Sequence, residues 1–208
     1  MSLVKSAEKH INCLIIIVFI VLFFLVKISV QAADLIGSDN TTEGSSGGGN
    51  SITNSSGSTV DYFIGSQNSG ASSNGGSNTL NNEGTVDEDL YGSWNEGTDT
   101  YGGENSITNE TAGSVEGSVY GSYNEGDDSN GSDNTISNHG TVNNYIIGSV
   151  NEGESSSGGD NAITNNGTVK GHIFGTVNDA ENTNGGSNVI VNTGDVDGGI
   201  RGSLNYNS

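Results

Sequence analysis

The chain has 208 residues, 25 acidic against five basic, no proline, 34 glycines and a formal charge of −20. Such a balance excludes binding to nucleic acid or to an anionic membrane surface through charge. The single cysteine, Cys13, excludes an internal disulfide.

Residues 1–32 differ in kind from the rest. Lys5 and Lys9 precede an apolar run from Leu14 to Val26, followed by Lys27 and the small-residue ending Val30-Gln31-Ala32. A basic start, an apolar core and an A-x-A-like end read as a secretory signal peptide cleaved after Ala32. The competing reading is an uncleaved anchor, but a membrane-crossing helix needs about 20 apolar residues and this run is shorter. Cleavage removes Cys13 and leaves Lys170 and Arg201 against 24 acidic residues, a formal charge of −22. The mature chain is thus expected to be secreted, extracellular or displayed on a bacterial surface, with no membrane span.

A short lead-in, 33–36, is followed by repeats filling 37–208. The motif G-[ST]-x-N recurs with its glycine at Gly37, Gly65, Gly92, Gly121, Gly148, Gly175 and Gly202, 27 to 29 residues apart. A fixed period in the twenties is the signature of a solenoid, one coil per repeat. Within each repeat three columns alternate at a spacing of two: Asn50, Asn78, Asn105, Asn134, Asn161 and Asn188; then Ile52, Leu80, Ile107, Ile136, Ile163 and Ile190; then Asn54, Asn82, Asn109, Asn138, Asn165 and Asn192. That spacing puts them on one face of a strand, and the aliphatic member marks it as inward. A valine column follows, Val60 to Val196. Another apolar column precedes the next glycine: Phe63, Leu90, Val119, Ile146, Ile173 and Ile200. The length above 27 falls in the turns holding Gly57 and Gly113, where stacked coils tolerate insertion.

The expected fold is all-β, a parallel β-helix (β-solenoid) of about six 27-residue coils. Its core is thin, roughly five apolar residues per coil, so backbone ladders and stacked asparagines must supply much of the order. Low Ile, Leu, Val and Phe content with high charge is also the composition of disorder. A disordered linker, however, has no reason to keep Val or Ile in register from repeat to repeat.

Four surface features are candidates for function. Glu96, Glu125, Glu152 and Asp179 follow the motif asparagine in successive repeats, so stacking makes them a ridge. The ridge is either solvated or a calcium site of hard oxygen ligands. An outward row before the glycine carries Ile64, Tyr91, Tyr120, Ile147, Phe174 and Arg201. Its Tyr91, Tyr120 and Phe174 either contact a glycan or protein partner or support one another along the sheet. Two residues after the glycine, Trp94 and Tyr123 are expected to be partly buried. Outward Ser/Thr rows could suit ice, but Asn81, Ala162, Val189 and Val191 interrupt them. Catalysis has little to work with: the histidines are His139 and His172, and neither G-x-S-x-G nor a histidine cluster occurs. The expectation is a non-enzyme without a cofactor, calcium excepted.

The run I-T-N-x-G-T-V-x-G-x-I, whole at Ile163 to Ile173 and partial at Ile136 to Ile146, resembles the passenger repeats of bacterial autotransporter adhesins. The resemblance implies a right-handed parallel β-helix displayed at the cell surface with an adhesive or structural role. The translocator β-barrel of that family has no counterpart in these residues. The G-x-x-N pairing is also similar to curli-type functional amyloid subunits, although the repeat is longer and the glutamine column is missing. That similarity implies the alternative, a self-assembling extracellular fibre subunit associating through open solenoid ends.

Overall fold

The computed structural model describes residues 32–206. The expected signal peptide lies outside them, apart from Ala32. Within the compact unit Ala32–Ser208 every regular element of the described residues is a strand, and no helix is long and apolar enough to cross a membrane.

Each coil gives one strand to each of three parallel sheets. The first sheet has seven strands: Leu35–Asn40, Phe63–Asn68, Leu90–Asn95, Val119–Asn124, Ile146–Asn151, Ile173–Asn178 and Ile200–Asn205. The second has six, from Ser51–Asn54 to Val189–Asn192, and carries the asparagine-flanked aliphatic column. The third has six two-residue strands, from Thr59–Val60 to Asp195–Val196. Neighbours in each sheet are one repeat apart and pair column on column, as in Ile136 with Ile107 and Ile163, or Val142 with Val115 and Val169. The chain is a β-solenoid of about six turns.

The interior is narrower than the sequence suggests. Three apolar side chains per coil point inward, one from each sheet. In the fourth coil these are Ile136, Val142 and Ile146, all 0–1% exposed. The other apolar residues of the repeat form a separate cluster around Ile147, Val150 and Phe174, outside the first sheet.

Asparagine, with the Ser/Thr of the repeat motif, fills the rest of the interior. Three amide ladders run through the stack. In the first, Asn40 Nδ2 donates to Asn68 Oδ1 at 2.7 Å, and the pattern repeats coil by coil to Asn178 donating to Asn205. The ladders from Asn50 to Asn188 and from Asn54 to Asn192 do the same at 2.7–3.0 Å. A buried primary amide needs several partners, and stacking supplies an acceptor for one N–H and a donor for the carbonyl. Asn134 also reaches the carbonyls of Ser132 and Gly148, so its side chain ties the loop to the first sheet.

The motif glycine and the Ser/Thr after it break the alternation of the first-sheet strand. Phe63 points in and Ile64 out, but Ser66 and Asn68 are both fully buried. Side chains on both sides of the break therefore use the interior, and the residue between Ser66 and Asn68 is turned outward. The glycine is required there. A Cβ on Gly92 would lie 2.4 Å from the Gly121 carbonyl oxygen and 2.7 Å from Asn105 Cβ. The Ser/Thr hydroxyl meets the asparagine of the same coil, as in Asn78 Nδ2 to Ser66 Oγ at 3.2 Å.

The loop between the first and second sheets has two left-handed positions per coil. One holds Gly44, Ser72, Asp99, Asp128, Ser155 and Asn182. The other holds Gly48, Gly76, Gly103, Gly159 and Gly186, with Ser132 as its single departure from glycine at φ 54°; in the first coil Gly49 adds a further positive φ. A side chain in that conformation costs about 1–2 kcal/mol, partly offset by the greater freedom of glycine in the unfolded chain. Ser132→Gly is therefore expected to raise the melting temperature by roughly 1–3 °C. A melt of the two proteins side by side checks this, and an unchanged or lower value would show that Ser132 is not strained.

Candidate contact face

The outer face of the first sheet departs from ordinary solvated sheet. On the second sheet the outward positions are mostly hydroxyls, such as Ser51, Thr53, Thr79, Ser106 and Thr135, all exposed. On the first sheet the outward positions form parallel rows. The row of Ile64, Tyr91, Tyr120, Ile147, Phe174 and Arg201 lies beside a second row of Gln67, Trp94, Tyr123, Val150, Val177 and Leu204. Trp94 and Tyr123 are half-buried, as expected, but it is neighbouring rings on the outside that bury them. A strict alternation starting at the core residue Leu90 places Trp94 inside. The break at Gly92-Ser93 moves it out.

The rings pack on one another. Tyr91 and Tyr120 stack with centroids 4.9 Å apart and planes within 8°, and Trp94 stacks on Tyr91 at 5.2 Å. Tyr123 stands across them, edge-on to Tyr91, Trp94 and Tyr120 at 5.4–6.4 Å. Parallel strands one coil apart bring like residues into register, and offset or edge-on ring pairs add about 0.5–1.5 kcal/mol each beyond their buried area. Phe174 continues the row with Tyr145 and His172 at 6.2 and 5.5 Å. Near the last coil these rings, Arg201, Leu204 and Tyr206 line an open recess of about 330 Å³. His172 is held in place there: its Nδ1 accepts the Gly199 N–H at 2.6 Å and its ring stacks on Tyr145.

The acidic ridge runs along the same face. Glu96, Glu125, Glu152 and Asp179 come two residues after the Trp94/Tyr123 row in successive coils. The two features therefore meet, which their separation into different columns of the sequence does not suggest. Tyr123 donates its hydroxyl to Glu152 Oε1 at 2.7 Å, and Gln67 Nε2 reaches Glu96 at 3.4 Å. On the far side of the aromatic rows, Tyr91 donates to Asp89 at 3.0 Å. Burial, then the neighbouring carboxylates, push the Tyr91 and Tyr123 hydroxyls well above the usual phenol range. Both stay protonated donors. Among the described residues, no three acidic, histidine or cysteine side chains converge on one point as metal ligands. The ridge offers one carboxylate per coil.

Glu125 is held above the ordinary carboxylate range, first by partial burial, then by Glu96 and Glu152 on either side. The indole N–H of Trp94 opposes this by favouring the charged form, though it falls short of a full hydrogen bond to any group. The raised value means the folded chain binds this proton more tightly than the unfolded chain. The penalty is therefore present at neutral pH and disappears as pH falls through the folded pKa toward the ordinary carboxylate value. Glu125→Gln should raise the melting temperature at pH 7 by on the order of 1–2 °C, a small effect because the side chain is largely exposed and screened. At a pH below the ordinary carboxylate range the difference should vanish. A constant difference across that titration would show that charge crowding is not the cause.

Comparison of the chain with family models, with curated proteins and with solved structures finds no match. The fold and this face define the class of protein, a β-solenoid with a patterned outer surface.

Proposed function

We propose that the chain is a secreted or surface-displayed β-solenoid with an adhesive or structural, non-catalytic role, and that it meets its partner through the outer face of the first sheet. One observation carries this reading. The aromatic and aliphatic rows of that face form a continuous stripe over several coils, with Ile147, Val150 and Phe174 at its centre and Tyr120, Tyr123 and Tyr145 packed against them. The three central residues are only 5–8% exposed, so the surface on offer is the half-exposed Tyr120, Tyr123, Tyr145, Val177 and Leu204 that cover them. Apolar surface rimmed by polar groups is where soluble proteins meet partners. Trp94 is the sole tryptophan and sits in the stripe, so its emission reports contact there. The expected result is that the chain coats cells or matrix-covered beads, that attachment changes Trp94 emission, and that Tyr120→Ser weakens attachment while Thr135→Ser on the second sheet does not. Equal attachment by both variants would sink this reading.

The fibre alternative draws on a different observation. The outermost described coils carry most of the exposed large apolar side chains: Ile36 on the first, and Val189, Val191, Ile200 and Tyr206 on the last. Uncovered strand edges with apolar side chains template further pairing. Thioflavin-positive fibres from purified chain would favour it, and a stable monomer at high concentration would remove it.

A further inference from the structure

Resting on the reading that the first-sheet face is the contact surface, we propose that its middle, around Trp94, Tyr120, Tyr123, Glu125 and Glu152, docks a basic segment of a partner polypeptide. The apolar stem of an arginine or lysine lies along the rings and its charge reaches the carboxylate column.

The geometry of the rows selects this partner. The aromatic row and the acidic row are two residues apart along the strand, about 7 Å. That is the reach of an extended Lys or Arg, whose stem is apolar and whose charge sits at the tip. The carboxylates recur once per coil, about 4.8 Å apart, so a basic segment laid along the solenoid axis finds a fresh acceptor at every step. Tyr123 already binds Glu152 through its hydroxyl, which fixes a carboxylate at the edge of the rings.

Other partner chemistries fit less well. A neutral sugar stacks on an open ring face, but Tyr91 has Trp94 on one stacking contact and Tyr120 on another, and is only 7% exposed. An anionic glycan meets Glu96, Glu125 and Glu152 and a chain of charge −20. Neither cation among the described residues serves the site. Lys170 follows the third sheet, and Arg201 sits beside Phe174, three strands along the sheet from the strand that ends at Asn124. The crowding that raises Glu125 is relieved by any cation brought between the carboxylates.

The experiment titrates the purified chain with an oligoarginine peptide, a neutral glucan oligosaccharide and an oligouronate at matched ionic strength, following Trp94 emission and the heat of binding. Glu125→Gln/Glu152→Gln is compared with Glu43→Gln/Glu181→Gln, which removes the same charge from exposed loops elsewhere. The expected result is that oligoarginine alone shifts Trp94 emission, and that its Kd rises about tenfold in the first double variant but about twofold or less in the control. Circular dichroism verifies that both remain folded. Equal weakening in the two variants would reduce the effect to the net charge of the chain and overturn the proposal. A response to a glycan but not to oligoarginine would overturn the partner class while leaving the contact face standing. No response to any probe, with cell attachment intact in Tyr120→Ser, would remove both.

Discussion

Ile136→Asp should unfold the middle of the stack, whereas Thr108→Asp, one coil away on the same sheet, should leave it folded. Ile136 is 1% exposed and belongs to the interior cluster that the three sheets enclose. It pairs with Ile107 below and Ile163 above, so a carboxylate placed there has apolar neighbours on both sides. Burying an uncompensated charge costs several kcal/mol even after relaxation. With three inward apolar residues per coil, no second layer exists to absorb that loss. Thr108 lies on the outward face of the neighbouring strand, between Ile107 and Asn109, where substitution should stay within about 1 kcal/mol. Thermal melts of the two variants check the contrast. Equal melting temperatures would mean that the faces of the second sheet are reversed.

Removing a whole coil should be far milder than removing half of one. Deleting 148–174 joins Ile147 to Gly175, and every column then resumes in phase, because Ile147 already pairs with Phe174 and Asn151 with Asn178. Solenoid stability is close to a sum of coil terms and neighbour terms, so the shortened stack loses one of each and keeps its interior closed. Deleting only 148–160 instead puts Asn161 where Gly148 stood. The amide ladders lose a rung, and a side chain is forced where a Cβ would meet the next carbonyl at 2.4 Å. The expected readout is protease resistance close to that of the parent for the first deletion and rapid digestion for the second. Equal digestion would show that the repeat is not the structural unit.

Much of this fold is legible in the sequence because parallel stacking needs like residues in like places. The columns Asn54 to Asn192 and Val60 to Val196 can be read without coordinates, since each column is a contact list in itself. Legibility stops where one strand changes its alternation. Trp94 and Tyr123 look inward by parity from the core position at Leu90, and only the backbone break at Gly92-Ser93 turns them out. A signal for that was present: Ser66, Ser93, Ser122, Ser149 and Thr176 keep a small hydroxyl at a position that counts as outward. An exposed site has no need of such uniformity, whereas a buried hydroxyl facing an asparagine does. The left-handed loop positions were harder to see. One of them holds serine, aspartate and asparagine as well as glycine, so no single residue type marks it. The meeting of the acidic ridge with the aromatic rows is a fact about the outer face, and no column taken alone contains it.

The amide ladders also give the solenoid a direction. In all three, each Nδ2 donates toward the higher-numbered coil and each Oδ1 accepts from the lower one. Three files of aligned amide dipoles therefore run along the axis. Each hydrogen bond polarises the next in its file, so interior rungs are stronger than terminal ones. The same substitution should cost more at Asn109 or Asn124, which are buried with a rung on both sides, than at the end rungs, where Asn54 Oδ1 has no donor and Asn192 is exposed. Unravelling should begin at the outermost rungs and move inward one coil at a time, which gives this thin-cored protein a mechanical grain: resistant to being pulled apart across its middle, and yielding from its tips.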